Sequence, residues 1–169
     1  MYNMPQISNK ECESLSHGMK LYITKGTGVE ETKFFMRYSD NDFIDSSYSF
    51  TDQRYKKSLN GLFGHILIQG LGFGCNIIRA CAKDNVNSVT VVEINPEVVA
   101  LFYQIHGRKF KGFEKLTIII TDAKTYMKND FDCVFIDIYH TPIDREEYEK
   151  TMDTLKKRYK NSELFYLKL

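Results

Sequence analysis

Residues 66–74 read Ile-Leu-Ile-Gln-Gly-Leu-Gly-Phe-Gly, and no other stretch of the chain restricts its fold as strongly. Ile66 to Ile68 is a short apolar run of the kind that forms a buried strand. It ends in three glycines at alternate positions, Gly70, Gly72 and Gly74. A helical pattern comes next, Ile77-Ile78-Arg79-Ala80-Cys81-Ala82-Lys83. Strand, glycine turn and helix, in that order, open a nucleotide-binding α/β unit. Glycines let a ligand approach the backbone, and a helix start offers unpaired N–H groups to polar or anionic atoms. The same glycines also suit an ordinary tight turn, so the weight falls on the later strands.

Three acids stand at the ends of those strands. Ser88 to Ile94 is a β-branched run that places Glu93 at its end, 23 residues after Gly70. An acid at the end of the second strand is positioned to accept from ribose hydroxyls. Leu116 to Thr121 leads to Asp122, and Phe131 to Ile136 leads to Asp137. In a parallel sheet all strand ends line one edge, so Glu93, Asp122 and Asp137 are expected to share a cleft. Any one of them alone could simply cap a helix. All three together with the glycine loop point to a ligand site.

Composition removes several classes of function. The chain has 169 residues, with 43% hydrophobic and 27% charged, which is ordinary for one globular unit. A net charge of +1 gives no electrostatic case for nucleic-acid or membrane partners. No apolar run approaches the ~20 residues of a membrane helix. Cysteines stand at 12, 75, 81 and 133, with no C-x-x-C, and the four histidines lack metal-ligand spacing. These features predict buried thiols in a reducing, cytoplasmic setting and no metal.

The order of elements predicts a doubly wound α/β fold. Residues 1–17 read as an irregular arm. Segments 20–24 and 32–38 flank Gly26-Thr27-Gly28 as a β-hairpin. Residues 39–50 read as loop, and 51–62 as a helix capped by Thr51. Strands are expected at 66–69, 88–94, 116–121, 131–137 and 163–169. Helices are expected at 75–84, 96–105, 123–128 and 144–159, the second with Pro96 in its first turn. Such alternation means a Rossmann-like parallel sheet. The expected organisation is an arm, hairpin and helix over 1–60 and a single compact α/β unit over 61–169. Lys150, Lys156, Lys157 and Arg158 read as the solvated face of the last helix, its acidic start and basic end matching the helix dipole.

These motifs together resemble the class I S-adenosylmethionine-dependent methyltransferase fold, and within it the spermidine-synthase-like branch. The matching residues are Gly70-Leu71-Gly72-Phe73-Gly74, then Val92-Glu93-Ile94-Asn95-Pro96-Glu97-Val98, Thr121-Asp122-Ala123 and Phe131-Asp132-Cys133-Val134-Phe135-Ile136-Asp137. The glycine spacing is G-x-G-x-G, and Cys75 stands where a dinucleotide fingerprint has its third glycine. The resemblance implies S-adenosylmethionine or its decarboxylated form as cofactor. Gly70, Gly72 and Gly74 would pass under its amino-acid end and ribose, Glu93 would hold the ribose diol, and Asp122 would accept from the adenine amino group. Ile94 and Ala123, beside those acids, belong to the same site. Asp137 would lie beside the sulfonium, where a carboxylate helps to bind and deprotonate an attacking amine. Apart from the resemblance, the aromatics Tyr22, Phe34, Phe35, Tyr38, Tyr48, Phe50 and Tyr55 read mainly as core or hairpin packing, and Tyr55, just before the nucleotide unit, is the candidate among them to wall the cleft by cation–π contact.

The chain departs from that branch at three points. The family's D-x-x-D-P reads Asp137-Ile138-Tyr139-His140-Thr141-Pro142 here, so His140 replaces the second acid. His140 is either a general base, since imidazole titrates near neutrality, or a loop histidine. Gln69 either contacts the ligand's amino-acid end or satisfies a loop carbonyl. The branch's usual C-terminal antiparallel strand pair is not expected after the fifth strand here, which would leave Leu164-Phe165-Tyr166-Leu167 as an apolar edge. That edge is expected to be covered by the N-terminal hairpin or by a second copy in a homo-oligomer. The leading functional expectation is transfer to a small molecule, with methyl transfer favoured over aminopropyl transfer. A cofactor-degrading lyase or hydrolase and a non-catalytic binding protein are the alternatives.

Overall fold

The computed structural model describes residues 59–138 and 145–166, together with four strands among residues 13–46. Those four strands are β1 (Glu13–Ser14), β2 (Lys20–Thr24), β3 (Lys33–Arg37) and β4 (Phe43–Ser46). They form one antiparallel sheet in sequence order. The β2–β3 hairpin forms as expected, with Tyr22 opposite Phe35. Two strands were not expected: β1 lies within the polar arm, and β4 lies within the segment read as loop because Asp40-Asn41-Asp42 and Ser46-Ser47 flank its Phe43-Ile44.

The second sheet has five strands: β5 (Gly64–Gln69), β6 (Val86–Glu93), β7 (Leu116–Ile120), β8 (Cys133–Ile136) and β9 (Glu163–Tyr166). Their order is β7-β6-β5-β8-β9, and every neighbouring pair is parallel. The connecting helices are α1 (Cys75–Cys81), α2 (Pro96–His106) and α3 (Arg145–Arg158). This is a Rossmann-like doubly wound fold, and its strand order reverses at β5, between β6 and β8.

Two cores flank the sheet, and strand parity assigns side chains to them. Ile66 and Ile68 of β5 join Val89, Val91, Cys133 and Phe135 under α1 and α2. Leu67, between them, faces the other way with Val92, Val134 and Ile136 against Met152 and Leu155 of α3. Central strands buried on both faces must be apolar throughout, which is why 66–68 and 133–136 read as unbroken runs.

Local signals explain the helix starts. Asn95 caps α2, its side chain accepting from Glu97 N at 2.8 Å, with Pro96 next in the chain. One expected helix is absent: residues 123–128 form a turn and then irregular chain. β9 forms one edge of the sheet. Leu164, Phe165 and Tyr166 are half-buried against the two cores. The N-terminal strands take one another as ladder partners, and none of them pairs with β9.

Cys75, Cys81 and Cys133 are buried free thiols. Burial pushes the Cys81 thiol up to about 12 and raises that of Cys133. Both should therefore resist iodoacetamide in the folded protein and react on unfolding in urea, read by mass spectrometry. Rapid labelling of native protein at both positions would contradict this packing.

Candidate functional site

The site forms where the C-terminal ends of β5, β6 and β8 meet. β5 ends at Gln69 and the chain turns sharply through Gly70, whose φ is 95°. Gly70 N donates to Val92 O at 2.9 Å, which ties the turn to β6. On the other side, Asp137 N donates to Gln69 O at 2.9 Å. The carbonyl of Asp137 lies so close to Gly70 that a Cβ there would overlap it. Gly70 is thus required both by its left-handed backbone and by the approach of a neighbouring chain segment.

The loop then folds on itself. Gly74 N donates to Leu71 O at 2.9 Å, and Ile78 N donates to Gly74 O at 3.0 Å, which starts α1. Glu93 holds this loop from the end of β6. Its Oε2 accepts from Leu71 N at 2.9 Å and its Oε1 accepts from Asn95 N at 2.9 Å. A carboxylate offers about four lone-pair sites, so these two bonds leave acceptor capacity on both oxygens. The group is therefore pre-oriented against the glycine loop. Beside it, Ile94 is 64% exposed, an unusual position for a large apolar side chain directly after a buried strand.

Asp122 lies past the end of β7. Its Oδ1 accepts from Lys124 N at 2.8 Å, and its carbonyl accepts from Thr125 N and Tyr126 N at 3.0 and 3.1 Å. This self-capped turn stands where a helix was expected. Arg158, at the end of α3, holds the segment. Its Nη1 donates to Tyr126 O at 2.8 Å and to Ala123 O at 3.4 Å, and its Nη2 donates to Lys124 O at 2.8 Å. One guanidinium thus takes three carbonyls of the segment, two of which a continuing helix would have needed. Arg158 does not belong to the solvated lysine face assigned to it from sequence. Lys150, Lys156 and Lys157 do.

Gln69, the last residue of β5, makes one of its two expected contacts in the structure, the one to a loop carbonyl. It is fully buried and shares the face of Leu67, towards α3. Its Nε2 donates to Ala123 O at 3.4 Å and to Tyr159 Oη at 3.3 Å. Its Oε1 is buried with no hydrogen-bond partner among the described residues. The amide therefore serves a loop carbonyl on the far side of the sheet from the glycine loop. Tyr159 completes the set, its hydroxyl donating to Tyr126 O at 3.4 Å. Ala123, expected beside the cofactor, is buried in this same cluster.

The structure thus gathers Gly70, Gly72, Gly74, Glu93 and Asp137 around one turn, with Ile94 beside Glu93. Asp122 comes just after the adjoining strand. Tyr55 and His140 lie outside the described residues. Among the described residues, no group of three or more His, Cys, Asp or Glu could hold a metal ion. No described helix is long and apolar enough to cross a membrane.

Known structures share this frame. The methyltransferase domain of bacterial CtHen1 in its CN form matches with a TM-score of 0.53 and 11% identity, over 67% of this chain and 63% of that one. The C form of the same domain matches with a TM-score of 0.51 and 12% identity, over 67% and 62%. The N-methyltransferase NodS from Bradyrhizobium japonicum WM9 superposes more loosely, with a TM-score of 0.48 and 16% identity over 64% and 62%. The likeness is one of fold. The match spans less than two thirds of each of these chains. No family model and no curated protein matches the sequence.

Sequence reading missed Arg158, Tyr159 and His106. Arg158 was hidden in a basic helix end that the helix dipole already explained. His106 and Tyr159 showed no motif at all, because their partners lie 33 residues or more away along the chain.

Proposed function

We propose that this protein binds S-adenosylmethionine and transfers its methyl group to a small molecule. The observation that carries the reading is Glu93, a carboxylate fixed against a glycine loop at the C-terminal edge of a parallel sheet, where such folds bind ligands. The residues fit an adenosyl ligand. The turn at Gly70 leaves no room for a side chain, and Glu93 keeps lone pairs for two ribose hydroxyls. The exposed Ile94 offers an apolar surface to adenine. Asp122, at the next strand end, suits the adenine amino group.

When bound, the cofactor supplies a methyl group on positively charged sulfur, already activated toward a nucleophile. The chain's own contribution is then placement. A transferase of this kind gains most of its rate by holding the acceptor in line and excluding water. Asp137, one residue past β8, has its backbone N–H on Gln69 O, and in this reading its carboxylate takes a hydrogen bond from an acceptor amine or hydroxyl. Methyl transfer is favoured over aminopropyl transfer because the paired acid that would grip a polyamine is His140 here. The likeness to methyltransferase domains supports the same choice at the level of fold.

Calorimetry with S-adenosylmethionine and S-adenosylhomocysteine tests the reading. Both should bind, and Glu93→Gln should weaken both by roughly 10- to 100-fold, the worth of a lost charged hydrogen-bond set. Absence of binding by the native protein would overturn the proposal. Turnover of the cofactor with no acceptor present would replace transfer with cofactor degradation.

A further inference from the structure

The glycine loop is gripped from a second side, by α2, which a nucleotide-loop motif does not require. His106 occupies the last turn of α2, is 6% exposed, and places its Nε2 2.6 Å from the carbonyl oxygen of Phe73. A carbonyl only accepts, so Nε2 carries the proton and donates. Phe73 lies between Gly72 and Gly74, within the loop. One turn earlier on α2, Phe102 packs beneath Gly74 so closely that a Cβ there would overlap its ring. Phe102 and His106 also touch each other, with ring centroids 5.1 Å apart. Two side chains at i and i+4 on one helix thus hold consecutive parts of the loop, one by shape and one by a hydrogen bond.

We infer that His106 is a positioning residue for the cofactor loop, fixing the Phe73 carbonyl so that the Gly70–Gly74 backbone is preformed before a ligand arrives. The inference rests on the proposed adenosyl site, and it assigns His106 no contact with ligand. Burial lowers the imidazole below its ordinary range, so the ring is neutral near pH 7 and holds its proton on the donating nitrogen. Glu93 fixes the loop's entry at Leu71 N, and His106 fixes its exit at Phe73 O. With both ends tied, little conformational entropy remains to be lost on binding.

The test compares His106→Gln with His106→Asn and His106→Phe. A glutamine amide nitrogen reaches about as far as Nε2, an asparagine amide falls short, and phenylalanine keeps the ring but has no donor. Amide hydrogen exchange of residues 70–76, measured without ligand, should speed up in the Asn and Phe variants and stay near native in the Gln variant. Exchange in β5 and β8 should not change. Affinity for S-adenosylhomocysteine should fall about tenfold in the Asn and Phe variants and be restored by Gln. Equal behaviour of Gln and Asn in loop exchange would overturn the inference, whether or not the Phe variant folds. Failure of the native protein to bind S-adenosylhomocysteine would sink the functional proposal instead, while the exchange comparison still decides the role of His106.

Discussion

Replacing Gly70 by alanine should both destabilise the protein and abolish adenosyl-ligand binding. The backbone there has φ of 95°, outside the range that L side chains adopt readily. Strain of this kind costs about 1–3 kcal/mol. The added methyl would also overlap the Asp137 carbonyl, which is backbone and cannot rotate away. The chain must then separate β5 from the segment after β8, breaking the bond from Asp137 N to Gln69 O. The two effects together should cost about 3 kcal/mol. For a domain of this size that lowers the melting temperature by roughly 6–12 °C. Thermal melting followed by circular dichroism gives the stability, and calorimetry with S-adenosylhomocysteine gives the binding. A variant that melts within about 2 °C of the native protein and binds equally well would show that this turn is not built as described.

Arg158→Met is expected to have the second largest effect, at a residue remote from any motif. Methionine keeps the apolar stem but removes the guanidinium from the carbonyls of Ala123, Lys124 and Tyr126. A hydrogen bond to a charged group is worth about 1.5–3 kcal/mol; the bond to Tyr126 O is short and partly buried, whereas the one to Ala123 O is long at 3.4 Å and the one to Lys124 O is exposed, so the loss should be about 2–3 kcal/mol. The loss should be local before it is global. Residues 123–128 should exchange their amide hydrogens faster, while β5 and β8 stay protected. Because Asp122 begins this segment, affinity for an adenosyl ligand should drop about tenfold. Arg158→Lys should recover little, since an ammonium does not span three carbonyls in one plane. Native-like protection of 123–128 in Arg158→Met would refute the clamp.

The two residues mark the boundary of what could be read from sequence. Gly70 was legible because its cause is local: a strand, a turn that needs positive φ, and a helix succeed one another within 16 residues, from Ile66 to Cys81. Glu93 was legible for a related reason, since an acid at a strand end in a parallel sheet must face the ligand edge. The side on which Gln69 lies was legible in principle too. It shares parity with Leu67, and parity alone turns it away from Ile66 and Ile68. Its nearness to the loop in sequence left a ligand contact and a loop-carbonyl contact both open, and its Nε2 makes the second of these.

Arg158 was not legible, because a basic residue at a helix end already has a sufficient local explanation in the helix dipole. The segment 123–128 was misread for the same reason. Its own residues permit a helix, and a guanidinium 32 to 35 residues further along takes the carbonyls instead. Likewise β1, from a polar segment, and β4, a short Phe-Ile pair among polar residues, form because neighbouring strands supply their partners.

By itself, then, the sequence determined the alternation of strands and helices, the glycine turn and the acids at the strand ends, all of which arise from local periodicity and backbone sterics. Only the tertiary structure decided which groups hold that turn and the Asp122 segment in place. His106, Arg158, Tyr159 and Gln69 act through hydrogen bonds to backbone carbonyls, and a carbonyl carries no sequence signature. Which donor reaches it is settled by packing, when α2 and α3 come to rest on opposite faces of the same sheet.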